Sequence, residues 1–104
     1  MEINAALICL QALSQETRVN AFRLLARHEP DGLPAGQLAQ QLKVPPNTLS
    51  AHLTVLSHAQ LVTSRREGRS IIYRANLERI QDTIDFLVED CCGGHPEICH
   101  PPSC

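Results

Sequence analysis

Apolar residues recur at intervals of three and four over the first half of this chain, alternate briefly, then return to helical spacing. Ile3, Leu7, Leu10 and Leu13 predict a first helix over 3–13. Ser14 is suited to cap a second helix over 15–28, whose inner face would be Val19, Phe22, Leu25 and Ala26. Pro30-Asp31-Gly32 ends it, because proline disfavours a helical residue before it and glycine suits a turn. Pro34, placed as a first helical residue, predicts a short helix over 34–42, buried through Leu38 and Leu42. Lys43-Val44-Pro45 then leads to Pro46 and a fourth helix to about residue 58, with Leu49, Leu53 and Leu56 inward. Two short helices joined by so tight a turn form a helix-turn-helix arrangement.

The period then changes. Segments 61–66 and 70–74 are rich in Val, Ile, Thr and Tyr and flank Glu67-Gly68-Arg69, which predicts a hairpin turning on Gly68. Asn76 can cap a last helix from Leu77. Leu77, Ile80, Ile84, Leu87 and Cys91 follow a heptad seam that Phe86 and Val88 widen. Gly93-Gly94 stops that helix. The expected fold is mainly α with a β-hairpin wing, in the order ααααββα. It divides into a domain over 1–92 and a Cys- and Pro-rich tail over 93–104.

Composition adds three constraints. Hydrophobic residues make up 43% and charged ones 19%, a globular balance. The aromatics are only Phe22, Tyr73 and Phe86, so the core must come from Leu, Ile, Val and Ala. A core from 104 residues is thin, and pairing into a homodimer would stabilise it. No apolar run approaches the ~20 residues of a membrane span, and Met1-Glu2-Ile3-Asn4 lacks the basic start of a secretory signal. The expectation is a soluble cytoplasmic protein with no membrane partner. No nucleophile–base pair, phosphate loop or carboxylate pair stands at usable spacing, so an enzyme is not expected.

The net charge of −2 conceals a segregation. Residues 43–74 carry Lys43, Arg65, Arg66, Arg69 and Arg74 against Glu67 alone, a local excess of +4. Residues 75–104 carry Arg79 against Glu78, Asp82, Asp85, Glu89, Asp90 and Glu97, a local −5. A basic middle of this kind suits phosphate contact, and a solvated face is its plain alternative. With three leucines of the fourth helix inward, Asn47, Thr48, Ser50, Ala51 and Thr54 fall on or near its outer face. Small polar side chains there can approach base edges without collision. His52 sits at the flank, for a phosphate, a base or a hydrogen bond to a neighbouring helix. Arg65, Arg66 and Arg69 on the hairpin suit phosphate or the minor groove.

The run Thr48-Leu49-Ser50-Ala51-His52-Leu53-Thr54-Val55-Leu56 precedes Leu61-Val62, then Arg65-Arg66-Glu67-Gly68-Arg69-Ser70, then Tyr73. In order and spacing this resembles the ArsR/SmtB family of metalloregulatory repressors, over about residues 10–92. The resemblance implies a winged helix-turn-helix and a homodimer formed by the first and last helices, with Leu7, Leu10, Leu77, Ile80, Ile84 and Leu87 at its interface. It also implies binding to a palindromic double-stranded DNA operator, with reading helices about one turn apart, ~34 Å. One departure is Gln60, where the family usually has glycine, so Gln60 must adopt a left-handed cap or shift the boundary.

The five cysteines are uneven: Cys9 stands alone, while Cys91, Cys92, Cys99 and Cys104 crowd the last fourteen residues. Cys9 reads as a small buried apolar residue. Two family inducer sites find no match. The stretch Leu33-Pro34-Ala35-Gly36-Gln37-Leu38 has no thiol, and no histidine lies between Leu77 and Cys92. Three thiolates around one centre suit trivalent arsenic or antimony, so Cys91, Cys92 and Cys99 are the expected ligands, with Cys104 in reserve. Some arsenic-responsive relatives use such a C-terminal cluster. Zinc or cadmium completed by His95, His100 or Cys104 is the rival, a thiol redox switch a third reading, and a soft-metal-binding protein without DNA function the alternative to a repressor.

Overall fold

The computed structural model describes residues 1–91. In chain order the elements are α1 (Ile3–Leu13), α2 (Glu16–Arg27), β1 (Leu33–Pro34), α3 (Ala35–Leu42), α4 (Pro46–His58), β2 (Val62–Glu67), β3 (Ser70–Ala75) and α5 (Leu77–Cys91). The strands form an antiparallel sheet in the order β1-β3-β2.

Helix α4 exists because Pro46 sets its first turn and leucines at 49, 53 and 56 keep one face apolar. All three are buried, and with Leu25, Leu38 and Leu61 they form the centre of the core. Each such leucine contributes roughly 1.5–3 kcal/mol relative to an exposed one. Cys9 is fully buried, and its Sγ donates to the Ala59 carbonyl at 3.5 Å.

Both helices of the helix-turn-helix end in the same device. After α3, Val44 N donates to Ala39 O at 3.1 Å and Lys43 N to Gln40 O at 3.3 Å, with Lys43 at φ 58°. After α4, Leu61 N donates to Leu56 O and Gln60 N to Ser57 O, each at 3.0 Å, with Gln60 at φ 63°. These are Schellman closures, which satisfy orphan carbonyls and turn the chain sharply. Gln60 thus takes the left-handed cap, without a glycine. Its carbonyl accepts from Asn76 Nδ2 at 2.9 Å, while Arg79 Nε donates to Ala59 O at 3.1 Å. The start of α5 is fastened in this way to the end of α4.

Three expectations are corrected. Ser14 does not cap α2: its hydroxyl donates back to Gln11 O at 2.7 Å, closing α1, and Gln15 Oε1 accepts from Arg18 N at 2.8 Å instead. Only two residues separate the helices, so each serves the helix it adjoins. Pro34 stands at the N-cap of α3, not inside it, because its backbone is extended (ψ 145°) and pairs with Ile72. The hairpin therefore gains a third strand, Leu33–Pro34, too short to leave a periodic signal. Finally, Val19 is only half-buried and does not pack on the core, whereas Ala21 lies in the core beside Phe22 and Leu25, with Ala26 packed against it.

Candidate nucleic-acid interface

On α4 the burial of Leu49, Leu53 and Leu56 turns Asn47, Thr48, Ser50, Ala51 and Thr54 outward, and all five are exposed. Two of these polar groups are partly engaged. Asn47 Oδ1 accepts from Thr48 N at 3.1 Å, and Thr54 Oγ1 donates to Ser50 O at 3.0 Å. The Thr54 hydroxyl is left with acceptor capacity only, whereas Ser50 keeps both functions.

His52 is half-buried and engaged. Arg18 Nη1, from α2, lies 3.3 Å from its Nδ1. The same guanidinium donates from Nε to Ala12 O at 2.6 Å and from Nη2 to Gln11 O at 3.4 Å. Arg18 therefore closes the last turn of α1, whose carbonyls carry partial negative charge, and reaches α4 as well. Sequence reasoning named His52 but missed Arg18. An isolated arginine on an amphipathic helix carries no periodic signal of a long-range contact.

The wing divides its arginines by strand parity. Cross-strand partners share a face, so Val62 with Ala75, Ser64 with Tyr73 and Arg66 with Ile71 lie on one side. That side meets α3 and α4, where Ile71 and Tyr73 line a shallow hollow with Gly36, Pro46, Leu49 and Ser50. Arg66 thus stands on the side of the wing that carries α4, where Ser50 of its polar face borders the hollow. Arg65 stands on the other, where its Nη2 donates to Asp31 O at 3.2 Å and approaches Glu67 at 3.6 Å. Among the described residues, no ion pair holds Arg66 or Arg69. Gly68, at φ 60°, makes the turn that presents Arg69.

The expected dimer residues lie on α1 and α5, which pack together. Leu7, Leu10, Leu77 and Leu87 are exposed by 49%, 37%, 46% and 42%, a high value for four leucines on two adjoining helices. Ile80 and Ile84 are half-buried, and Ile80 turns partly into the core. Thr83 of α5 is buried, its hydroxyl donating to Arg79 O at 2.9 Å. The seam is therefore a stripe beside the buried face of α5.

Of the expected thiol ligands, Cys91 is the last residue of α5, while Cys92, Cys99 and Cys104 lie outside the described residues. Among the described residues, no group of three or more His, Cys, Asp or Glu could hold a metal ion. No helix there is long and apolar enough to cross a membrane.

Comparison with known proteins agrees with this geometry. Residues 13–65 match the helix-turn-helix domain family. The transcriptional repressor SdpR of Bacillus subtilis is 28% identical over 78 residues, 75% of this chain and 83% of the relative. The transcriptional activator HlyU of Vibrio cholerae is 29% identical over 89 residues, 84% of this chain and 80% of the relative. Among solved structures, an ArsR-like transcriptional regulator from Rhodococcus sp. RHA1 superposes with a TM-score of 0.72 at 33% identity. That match covers 82% of this chain and 77% of the other. These relatives regulate transcription and are not enzymes. With α3 and α4 as the helix-turn-helix and β2–β3 as the wing, this chain belongs to the helix-turn-helix family of transcriptional regulators, in its winged, ArsR-like form.

Proposed function

We propose that this chain is a repressor that binds a palindromic duplex-DNA operator as a homodimer, in the cytoplasm, and releases it on taking up trivalent arsenic or antimony. Carrying this reading is the exposed polar face of α4, with Arg66 on the side of the wing that carries that helix and outside any protein ion pair among the described residues. Arg66 and Arg69 contact phosphate, and Asn47, Thr48, Ser50, Ala51, His52 and Thr54 meet the groove. The exposed leucines of α1 and α5 cover one another across a two-fold axis.

Inducer binding falls to Cys91, Cys92 and Cys99, with Cys104 in reserve. Cys9 is buried against Ala59, and among the described residues no group of three or more metal-ligating side chains forms around it, so the proposed site rests on Cys91 and the cysteines that follow it in sequence. Soft thiolates suit As(III) and Sb(III), and zinc is the weaker fit because adjacent cysteines depart from zinc-ligand spacing. A ~100-fold loss of operator affinity requires the inducer to favour the released state by roughly 2.7 kcal/mol.

The test begins with duplexes selected from a random pool at low salt. DNA release is then titrated with arsenite, antimonite, zinc and cadmium. Parent protein is compared with Cys91, Cys92, Cys99 and Cys104 changed singly to serine. Arsenite is expected to release the parent, and to release the Cys91, Cys92 and Cys99 variants only at about tenfold higher concentration or more. Release of Cys92→Ser at the parent's concentration refutes the thiol site. A pool that yields no bound duplex refutes DNA reading.

A further inference from the structure

We propose that Arg18 is a positioning residue for the DNA-reading helix: it holds His52 with a bare Nδ1, leaving the Nε2–H as a donor toward DNA. The inference rests on the DNA-reading function and assigns His52 one role within it.

A guanidinium has five N–H donors and no acceptor. Arg18 Nη1, 3.3 Å from His52 Nδ1, can therefore only donate, and Nδ1 must offer its lone pair. In a neutral imidazole the proton then sits on Nε2. The two ring nitrogens look in nearly opposite directions, so with Nδ1 on Arg18 the Nε2 edge is left for a partner outside the domain. His52 is half-buried, so part of the residue stays open to solvent. Thr48, one turn earlier on the same stripe of α4, is exposed, so a DNA strand along that flank would pass both side chains.

Arg18 is itself held fast. Its Nε and Nη2 are committed to Ala12 O and Gln11 O, which fixes the guanidinium plane and so aims Nη1 at α4. A neutral histidine free to rotate would present either nitrogen, and would meet a phosphate oxygen with a lone pair part of the time. Arg18 removes that choice. The relation is that of a metal-bound histidine to the group that fixes its tautomer, with DNA in place of the metal.

Two substitutions separate the nitrogens. His52→Gln keeps an N–H near the Nε2 position and loses the Nδ1 acceptor. His52→Asn keeps an acceptor near Nδ1 and loses the outer donor. On a duplex selected with the parent, His52→Gln is expected to bind within about threefold, and His52→Asn to lose about tenfold, the scale of one charge-assisted hydrogen bond. Arg18→Ala is expected to cost about threefold in the parent background, where the competent tautomer is then only partly populated, and nothing beyond error in the His52→Gln background, where no tautomer needs fixing. Thermal unfolding of the four proteins of this cycle provides the control, because loss of the α1 closure should lower Tm in both backgrounds, whereas the loss of DNA affinity should be confined to the parent background. Long-range proton–nitrogen NMR of the parent should show Nδ1 bare and Nε2 protonated.

Equal loss of DNA affinity from Arg18→Ala in both backgrounds would reduce Arg18 to a structural cap and overturn the inference. So would parent-like binding by His52→Asn, or a protonated Nδ1 in the free protein. Recovery of no duplex by the parent would instead overturn the DNA-reading function.

Discussion

Arg74 grips both carboxylate oxygens of Glu29, with Nη2 at 2.6 Å and Nε at 3.3 Å, and so ties the central strand β3 to the turn that follows α2. The hydrogen bond and the charge of Glu29 raise the Arg74 pKa above its ordinary value. A raised basic group contributes its stability fully below its unfolded pKa and loses it only as pH rises through the folded one. Arg74 therefore stays charged throughout any working range, and ionic strength becomes the useful lever on this pair. Glu29→Gln is predicted to lower Tm at low salt, by a margin that narrows as salt rises. Thermal unfolding at two ionic strengths checks it, and a margin unchanged by salt would refute the ionic account.

Two backbone positions predict opposite outcomes. Gly32 has φ +77°, and a Cβ there would collide with the Tyr73 carbonyl and Arg74 Cγ. Gly32→Ala should destabilise by about 2 kcal/mol or more, since both backbone strain and β1–β3 pairing oppose it. Gln60 holds the same left-handed region with a side chain, at about 1 kcal/mol of strain. Gln60→Gly should therefore stabilise by no more than about 0.5 kcal/mol, because the freer unfolded glycine offsets most of the strain relieved. Urea unfolding of both variants tests the pair.

The wing arginines should separate in a salt titration of DNA binding. Arg66→Ala and Arg69→Ala are each expected to reduce the slope of log affinity against log salt by about 0.9, the value for one phosphate contact. Arg65→Ala should change the slope much less, because Arg65 is held to Asp31 O and Glu67 on the opposite face. Equal slopes for all three variants would contradict this division.

Leu7→Asp and Leu87→Asp test the pairing face. Both side chains are more than two-fifths exposed, so each variant should keep its helices by circular dichroism. Sedimentation should show parent dimers and variant monomers, with operator affinity lost along with the dimer. A variant that sediments as the parent does would remove that leucine from the interface.

Local pattern carried much of this fold. Leucine spacing placed α4 within its observed bounds, Asn76 capped α5 through Arg79 N at 3.3 Å, and Gly68 made the wing turn. The left-handed cap at Gln60 was legible because a family position lacked its usual glycine. Illegible features depend on what meets what. Strand β1 is two residues long and exists only because Tyr73 and Ile72 lie opposite it. Lys43 adopts φ 58° with nothing in its side chain to announce it.

The candidate site divides along the same line. Sequence by itself determined which side chains of α4 face outward, because the period of a helix makes burial of Leu49, Leu53 and Leu56 settle the rest. It also determined that positive charge gathers between residues 43 and 74, and that four of five thiols follow Leu87. Only tertiary structure decided that Arg65 is held on the far side of the wing while Arg66 shares the side of α4, and that Arg18 grips His52 across 34 positions of sequence. Helical and strand periodicity is written into neighbouring residues, whereas a hydrogen bond between α2 and α4 depends on how packed helices place two distant side chains.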